Sequence, residues 1–225
     1  MSNRTVLGGV PGYLTRPAGT GPWPALVVIH EWWGLDAQTE AIADRFAAEG
    51  YLVFAPDLYR GDLAPLGDNE KAMAYLKVHG SQAPADLEAA CDALVAVPEA
   101  SGKVGSVGFC FGGRMSLSLG IRRPLDAVCT FYGGQMQLLF DQMGGWTIPV
   151  LGLFGDADVS IPQGTIDQFE QLLTRRGVEH EVVVYPHSGH AFFRDTDPTV
   201  YRPEAAADAW VRVRAFFARH LRPAG

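Results

Sequence analysis

The amino-acid sequence predicts an α/β architecture, a mostly parallel sheet with helices on both faces. The first observation behind this is an alternation. Short continuous apolar runs such as Ala25–Ile29 and Tyr51–Ala55 alternate with longer segments whose apolar residues have helical spacing, as expected for doubly buried strands joined by crossover helices. The second is positional: His30-Glu31, Cys110, Asp158 and His190 each follow the carboxyl end of such a run, where sheets of this kind bind their ligands. The third is the stretch Gly108-Phe109-Cys110-Phe111-Gly112-Gly113, whose glycines suit a sharp strand-to-helix turn.

Up to Pro24 the chain alternates weakly and is broken by Gly and Pro, which predicts short edge strands or a hairpin. Ala25–Ile29 is the first doubly buried strand. Asp36 is placed to cap the next helix, in which Ile42 and Phe46 lie one turn apart and which Gly50 closes. Tyr51–Ala55 is the second such strand. Residues 58–68 read as a loop punctuated by Gly61, Pro65 and Gly67, and Asn69–Val78 as a short helix. Residues 58–82 are therefore a candidate lid or pocket-facing segment in a single domain spanning 1–225. Pro84 suits the first turn of a helix carrying Leu87, Ala90, Leu94 and Val97. Val104–Phe109, Ala127–Tyr132, Val150–Phe154 and Glu181–Tyr185 supply the remaining strands. Between them come an apolar helix over Met115–Ile121 and one opened by Pro162, with Ile166, Phe169 and Leu173 on one face. The closing helix, from about Ala205 to His220, aligns Trp210, Val213 and Phe217 as a packing stripe.

Composition narrows the class of function. With 225 residues, 48% of them hydrophobic, the chain is long enough to bury a substantial core. A net charge of −7 disfavours nonspecific binding to nucleic acid or to an anionic membrane. The beginning of the sequence has no apolar stretch of signal-peptide length and no window approaches a membrane span, so a cytoplasmic protein is expected. Its three cysteines, Cys91, Cys110 and Cys129, are odd in number and lack C-x-x-C spacing, which suggests neither a disulfide framework nor a zinc site. No glycine-rich nucleotide-binding loop is present. Oligomeric state is left open, a monomer included.

Cys110 at the apex of a glycine-flanked turn reads either as an inert structural cysteine or as a nucleophile. In favour of the second, the following helix directs free N–H groups at the turn and stabilises negative charge there. A nucleophilic thiol needs a base and a carboxylate to orient the base, and Cys110, Asp158 and His190 supply them in the nucleophile, acid, histidine order of the α/β-hydrolase fold. His187 competes for the base, but Gly189 gives His190 the freer turn; Asp156 competes with Asp158, which has only a modest advantage. The Phe111 and Trp32 amides are the expected oxyanion donors. Cys91, in an alanine-rich helix, and Cys129, in a strand, read as inert core.

His30-Glu31-Trp32-Trp33-Gly34, Gly108-Phe109-Cys110-Phe111-Gly112-Gly113, Gly155-Asp156-Ala157-Asp158 and Gly189-His190-Ala191-Phe192-Phe193-Arg194 together resemble the dienelactone hydrolase (carboxymethylenebutenolidase) family over essentially the whole chain. The resemblance implies an α/β-hydrolase fold and a Cys-His-Asp triad that hydrolyses lactones or related esters without metal or cofactor. It favours Asp158 over Asp156 and His190 over His187. It also implies that Glu31 lies beside the resting thiol and is released when an anionic substrate binds. In substrate recognition it matches Arg194 to one of two carboxylate-binding arginines, Tyr75 to a nearby tyrosine, and Lys71 to the place of the second arginine. Lysine keeps that charge but lacks the bidentate fork.

The expected function is hydrolysis of a small, anionic lactone or ester. The nearest alternative is a general carboxylesterase or thioesterase. Thiol nucleophiles suit activated esters better than amides, which argues against a protease. A noncatalytic small-molecule binder on the same fold would lack a triad position, and none is lost. A redox enzyme would want a resolving cysteine close in sequence, and there is none.

Overall fold

The computed structural model describes residues 3–222. The apolar runs form β1 (Arg4–Leu7), β2 (Val10–Thr15), β3 (Trp23–Ile29), β4 (Leu52–Pro56), β5 (Ala100–Phe109), β6 (Ala127–Phe131), β7 (Val150–Gly155) and β8 (His180–Tyr185). They build one sheet in the order β1-β2-β4-β3-β5-β6-β7-β8. The expected amino-terminal hairpin is β1 and β2, which adds an antiparallel edge through β2 and β4; every pairing from β4 to β8 is parallel. This is the α/β-hydrolase architecture expected from the sequence.

Between the strands lie α1 (Ala37–Ala48), α2 (Asn69–His79), α3 (Ala83–Val95), α4 (Phe111–Arg122), α5 (Gln163–Arg175) and α6 (Pro203–Leu221). Asp36 caps α1, its side chain accepting the Thr39 N–H at 2.9 Å, and Asp68 caps α2 by accepting the Lys71 N–H at 3.0 Å. Covered by these helices, β3 and β4 are buried at nearly every position, so their residues are apolar throughout rather than alternating. None of the helices among the described residues is long and apolar enough to cross a membrane.

Two differences from the sequence reading bear on the site. Helix α4 begins at Phe111 rather than near Met115, because the turn consumes Cys110 alone. Residues Met136–Gly145, which carry no clear periodicity, form 3-10 turns kinked at Met143. They are pinned by buried Met136, Leu139 and Met143, and the next residues by the Trp146 Nε1–H, which donates to the Ile148 carbonyl at 2.6 Å.

Strand register brings the site loops together. Ile29 pairs with Gly108, Phe109 with Phe131, Phe131 with Leu153, and Gly155 with Tyr185. The carboxyl ends of β3, β5, β6, β7 and β8 therefore fall along one edge of the sheet.

Candidate active site

The turn at Cys110 is set by its glycines and by strain at its apex. A Cβ on Gly108 would lie 1.9 Å from the Gly112 carbonyl oxygen, and one on Gly112 would lie 2.3 Å from that of Ile29. No side chain fits either contact. Cys110 itself adopts φ 55° and ψ −115°, a region that costs a non-glycine residue about 1–3 kcal/mol. Its amide donates to the Phe131 carbonyl at 3.0 Å, which fastens the strained residue to β6.

The loops after β7 and β8 are tied to each other by backbone. The Asp156 amide donates to the Tyr185 carbonyl and the Ala157 amide to that of Ser188, each at 3.0 Å. This brings Asp158 to His190, with 2.6 Å between Oδ2 and Nδ1. A carboxylate only accepts, so Nδ1 carries the proton and Nε2 is the ring nitrogen left to serve Cys110, which lines the same cavity. Asp156 and His187, the competitors in sequence, are exposed. Burial disfavours a charged His190 ring, but the nearness of Cys110 and the hydrogen bond to Asp158 outweigh it and push the ring up to about 11. Asp158 is buried, which raises its carboxyl. The hydrogen bonds and charge of His190, with those from Ser160, overcome this and hold it below the ordinary range. Ser160 was not singled out in the sequence. Its hydroxyl and amide donate to Asp158 Oδ1 at 2.6 and 2.9 Å, and Asp158-Val159-Ser160 is the local pattern that could have revealed it.

On the other side of the thiol, Glu31 is buried. Its Oε1 accepts from the Tyr132 hydroxyl at 3.3 Å and its Oε2 from Arg194 Nε at 2.9 Å. Arg194 also donates to Asp36 Oδ2 at 2.6 Å and to the Thr196 hydroxyl at 3.1 Å. The loop carrying Glu31 and Trp32 is braced by His30, which lies 2.5 Å from the Glu31 carbonyl through Nδ1, while Nε2 accepts the Leu58 amide at 3.2 Å. Complete burial lowers the pKa of this ring, so the neutral form with a proton on Nδ1 satisfies both contacts. Trp32 follows in the turn closed by the Gly34 amide on the Glu31 carbonyl. Phe111 is the first residue of α4, where an amide has no intrahelical acceptor.

These groups open on a cavity of about 560 Å³. Glu31, Trp32, Cys110, Phe111, Asp158, His190 and Arg194, all singled out in the sequence, line it together. Lys71 and Tyr75 do not. Helix α2 turns Met73 and Leu76 toward the cavity instead, while Lys71 is exposed, its Nζ 5.7 Å from the centre of the Tyr75 ring. Arg114 and Gln135, which the sequence reading passed over, are on the wall. The other thiols, Cys91 and Cys129, are buried in the core, and burial raises both, Cys91 to about 11. Among the described residues no group of three or more His, Cys, Asp or Glu is arranged to hold a metal ion.

The model of the dienelactone hydrolase family matches residues 10–221. The chain belongs to this family. A provisionally named carboxymethylenebutenolidase of Methylorubrum extorquens is 34% identical over 95% of this chain and 78% of its own length, and one of Synechocystis is 32% identical over 95% and 93%. Among solved structures, a provisionally named dienelactone hydrolase of Klebsiella pneumoniae superposes with a TM-score of 0.83 at 32% identity, covering 93% of each chain. A dienelactone hydrolase-like promiscuous phosphotriesterase from metagenomic libraries gives 0.86 at 25% identity, covering 99% of this chain and 98% of that one. The protein is thus a hydrolase of the dienelactone hydrolase family.

Proposed function

We propose that this dienelactone hydrolase family member is a cysteine-dependent hydrolase of small lactones or esters that carry an anionic group. The observation that carries the reading is the Asp158–His190 hydrogen bond on the wall of the cavity that Cys110 also lines, with the cysteine at the apex of a strained turn. In the proposed reaction Cys110 Sγ attacks the ester carbonyl and His190 holds the thiol proton on Nε2. The developing oxyanion meets the Phe111 and Trp32 amides. His190 then gives its proton to the leaving alkoxide, which a lactone keeps tethered at its other end, and the acyl group rests on Cys110 as a thioester. Water, deprotonated by His190, cleaves the thioester and regenerates the thiol. Asp158 fixes the ring's tautomer throughout.

Glu31 and Arg194 act beside this group. With both carboxylate oxygens engaged by Tyr132 and Arg194, Glu31 leaves the thiol to His190 in this reading. Arg194 in this reading positions Glu31.

The test is acid release from a panel of lactones and aryl esters by native protein and Cys110→Ala. Turnover is expected to fall by about a thousandfold or more, and electrospray mass measurement of the native protein during turnover should show an acyl adduct lost in the variant. Undiminished turnover in Cys110→Ala would reject the cysteine mechanism.

A further inference from the structure

The carboxylates on the cavity wall all have partners. Asp158 is engaged by His190 and Ser160, Glu31 by Arg194 and Tyr132, and Asp197 by the Thr199 amide and hydroxyl. Arg194 in turn faces two carboxylates, so its charge is already answered within the protein.

Arg114 is the exception. Its Nη1 donates to Gln135 Oε1 at 2.6 Å, a neutral acceptor, and its Nε is buried with no hydrogen-bond partner. No carboxylate pairs with it among the described residues. It follows Cys110 by four residues, one helical turn, and its guanidinium lies over the Phe111 ring, with Cζ 5.9 Å from the ring centre. Burial lowers the guanidinium's pKa, and the nearness of Cys110 and Tyr59 offsets only part of this; an arginine stays protonated all the same. Gln135 uses its amide oxygen on Arg114, which leaves its NH₂ free to donate into the same space. The rest of the wall is largely apolar, with Leu66, Met73, Leu76, Val159 and Val200 offering nothing to a charged group.

We propose that Arg114, supported by Gln135, is the anion-recognition element of this cavity and binds a carboxylate on the acyl part of the substrate. The proposal rests on the hydrolase reading above and names the group that selects its substrate. A carboxylate three or four bonds beyond the attacked carbonyl spans about 5 Å, close to the rise of one helical turn, so an acyl chain tethered to Cys110 sets its carboxylate beside Arg114. The planar guanidinium offers its terminal nitrogens, of which only Nη1 is engaged by Gln135, as charge-assisted donors to a carboxylate.

The test compares mono-4-nitrophenyl glutarate with neutral 4-nitrophenyl pentanoate, in native protein, Arg114→Gln, Arg114→Lys and Gln135→Ala. In Arg114→Gln the loss of kcat/KM on the charged ester should exceed the loss on the neutral ester about 30-fold, chiefly through KM, with Arg114→Lys recovering part of it and Gln135→Ala showing a smaller selective loss. Equal losses on the two esters overturn the proposal. A second readout needs no turnover: 4-phenylbutyrate, which joins a carboxylate to an apolar body, should raise the melting temperature of Cys110→Ala but not of Cys110→Ala/Arg114→Gln. If no ester is cleaved but this difference persists, the hydrolase reading fails and the anion site stands. Equal shifts in the two proteins, or none in either, reject the anion site itself.

Discussion

Arg194 and Arg114 line the same cavity and are held in opposite ways. Arg194 is almost wholly enclosed and bonded to Glu31, Asp36 and Thr196. Arg114 is half-buried, and its one hydrogen-bond partner among the described residues is the neutral Gln135. The difference separates two uses of a buried cation. A guanidinium whose charge is already answered by carboxylates from the loop after β3 and the start of α1 fastens those elements to the loop after β8. One left without a counter-charge is costly to keep, because burial of an unpaired charge opposes folding. Such a group is poised to gain from a ligand anion what the fold does not supply.

The comparison breaks most readily at Arg194. Arg194→Met leaves two carboxylates near one another without their cation, one of them the buried Glu31. Stability in urea unfolding should drop by about 3–5 kcal/mol, the cost of removing one partner from a buried ion pair. A drop below about 1 kcal/mol would mean that Glu31 finds another partner and that Arg194 is not a structural clamp.

A smaller effect is expected at Asp158. Its folded pKa lies below the ordinary 3.8, so the stability it contributes is present above that value and is lost as pH falls through the folded value. The stability of native protein relative to Asp158→Asn should therefore shrink as pH is lowered from about 5 to about 2. A constant or widening gap would show that the Asp158–His190 pair is not what depresses this carboxyl.

Arg114→Met is expected to change stability in the opposite sense to Arg194→Met, or hardly at all. The substitution removes an unpaired guanidinium and leaves only Gln135 without its partner, so urea unfolding should differ from native by no more than about 1 kcal/mol. The same pair of variants thus tests the contrast from both sides, one through the fold and the other through substrate selection.

Much of this was legible in the sequence. The order of strands and helices follows from apolar period alone. The glycines around Cys110 announce a turn that tolerates no Cβ, and the strand ends narrow the acid and base candidates to Asp156 or Asp158 and His187 or His190, between which the family resemblance chose. What the sequence did not disclose depends on helical phase and on partners distant in the chain. Lys71 and Tyr75 were expected at the pocket by resemblance. In the folded chain Ala72 is buried against Trp33 and Ala64, which fixes the rotation of α2 so that Met73 and Leu76 face the cavity. Arg114 follows directly on the glycine pair and looks like the opening of an ordinary helix. Its importance lies in the carboxylate it does not have, and in Gln135, which reaches it from the far end of β6.

Lys71 gives the smallest effect and the sharpest control. It is a cation in the same region of the chain as the cavity wall, and if net positive charge near the mouth were enough to select anionic substrates, Lys71 and Arg114 would contribute comparably. Their settings differ. The Lys71 ammonium is exposed on α2, resting 5.7 Å from the Tyr75 ring centre, and does not line the cavity. An ammonium in water is screened over about 8–10 Å at ordinary ionic strength, whereas a group on the enclosed wall is screened much less. Lys71→Ala should accordingly alter kcat/KM on mono-4-nitrophenyl glutarate by less than about twofold at 0.15 M salt, and stability by less than about 0.5 kcal/mol. A loss approaching that of Arg114→Gln would move the source of selectivity from a specific cation at the wall to the general field around the mouth. A loss that appears only at low ionic strength would assign Lys71 to steering the anion inward, with Arg114 receiving it.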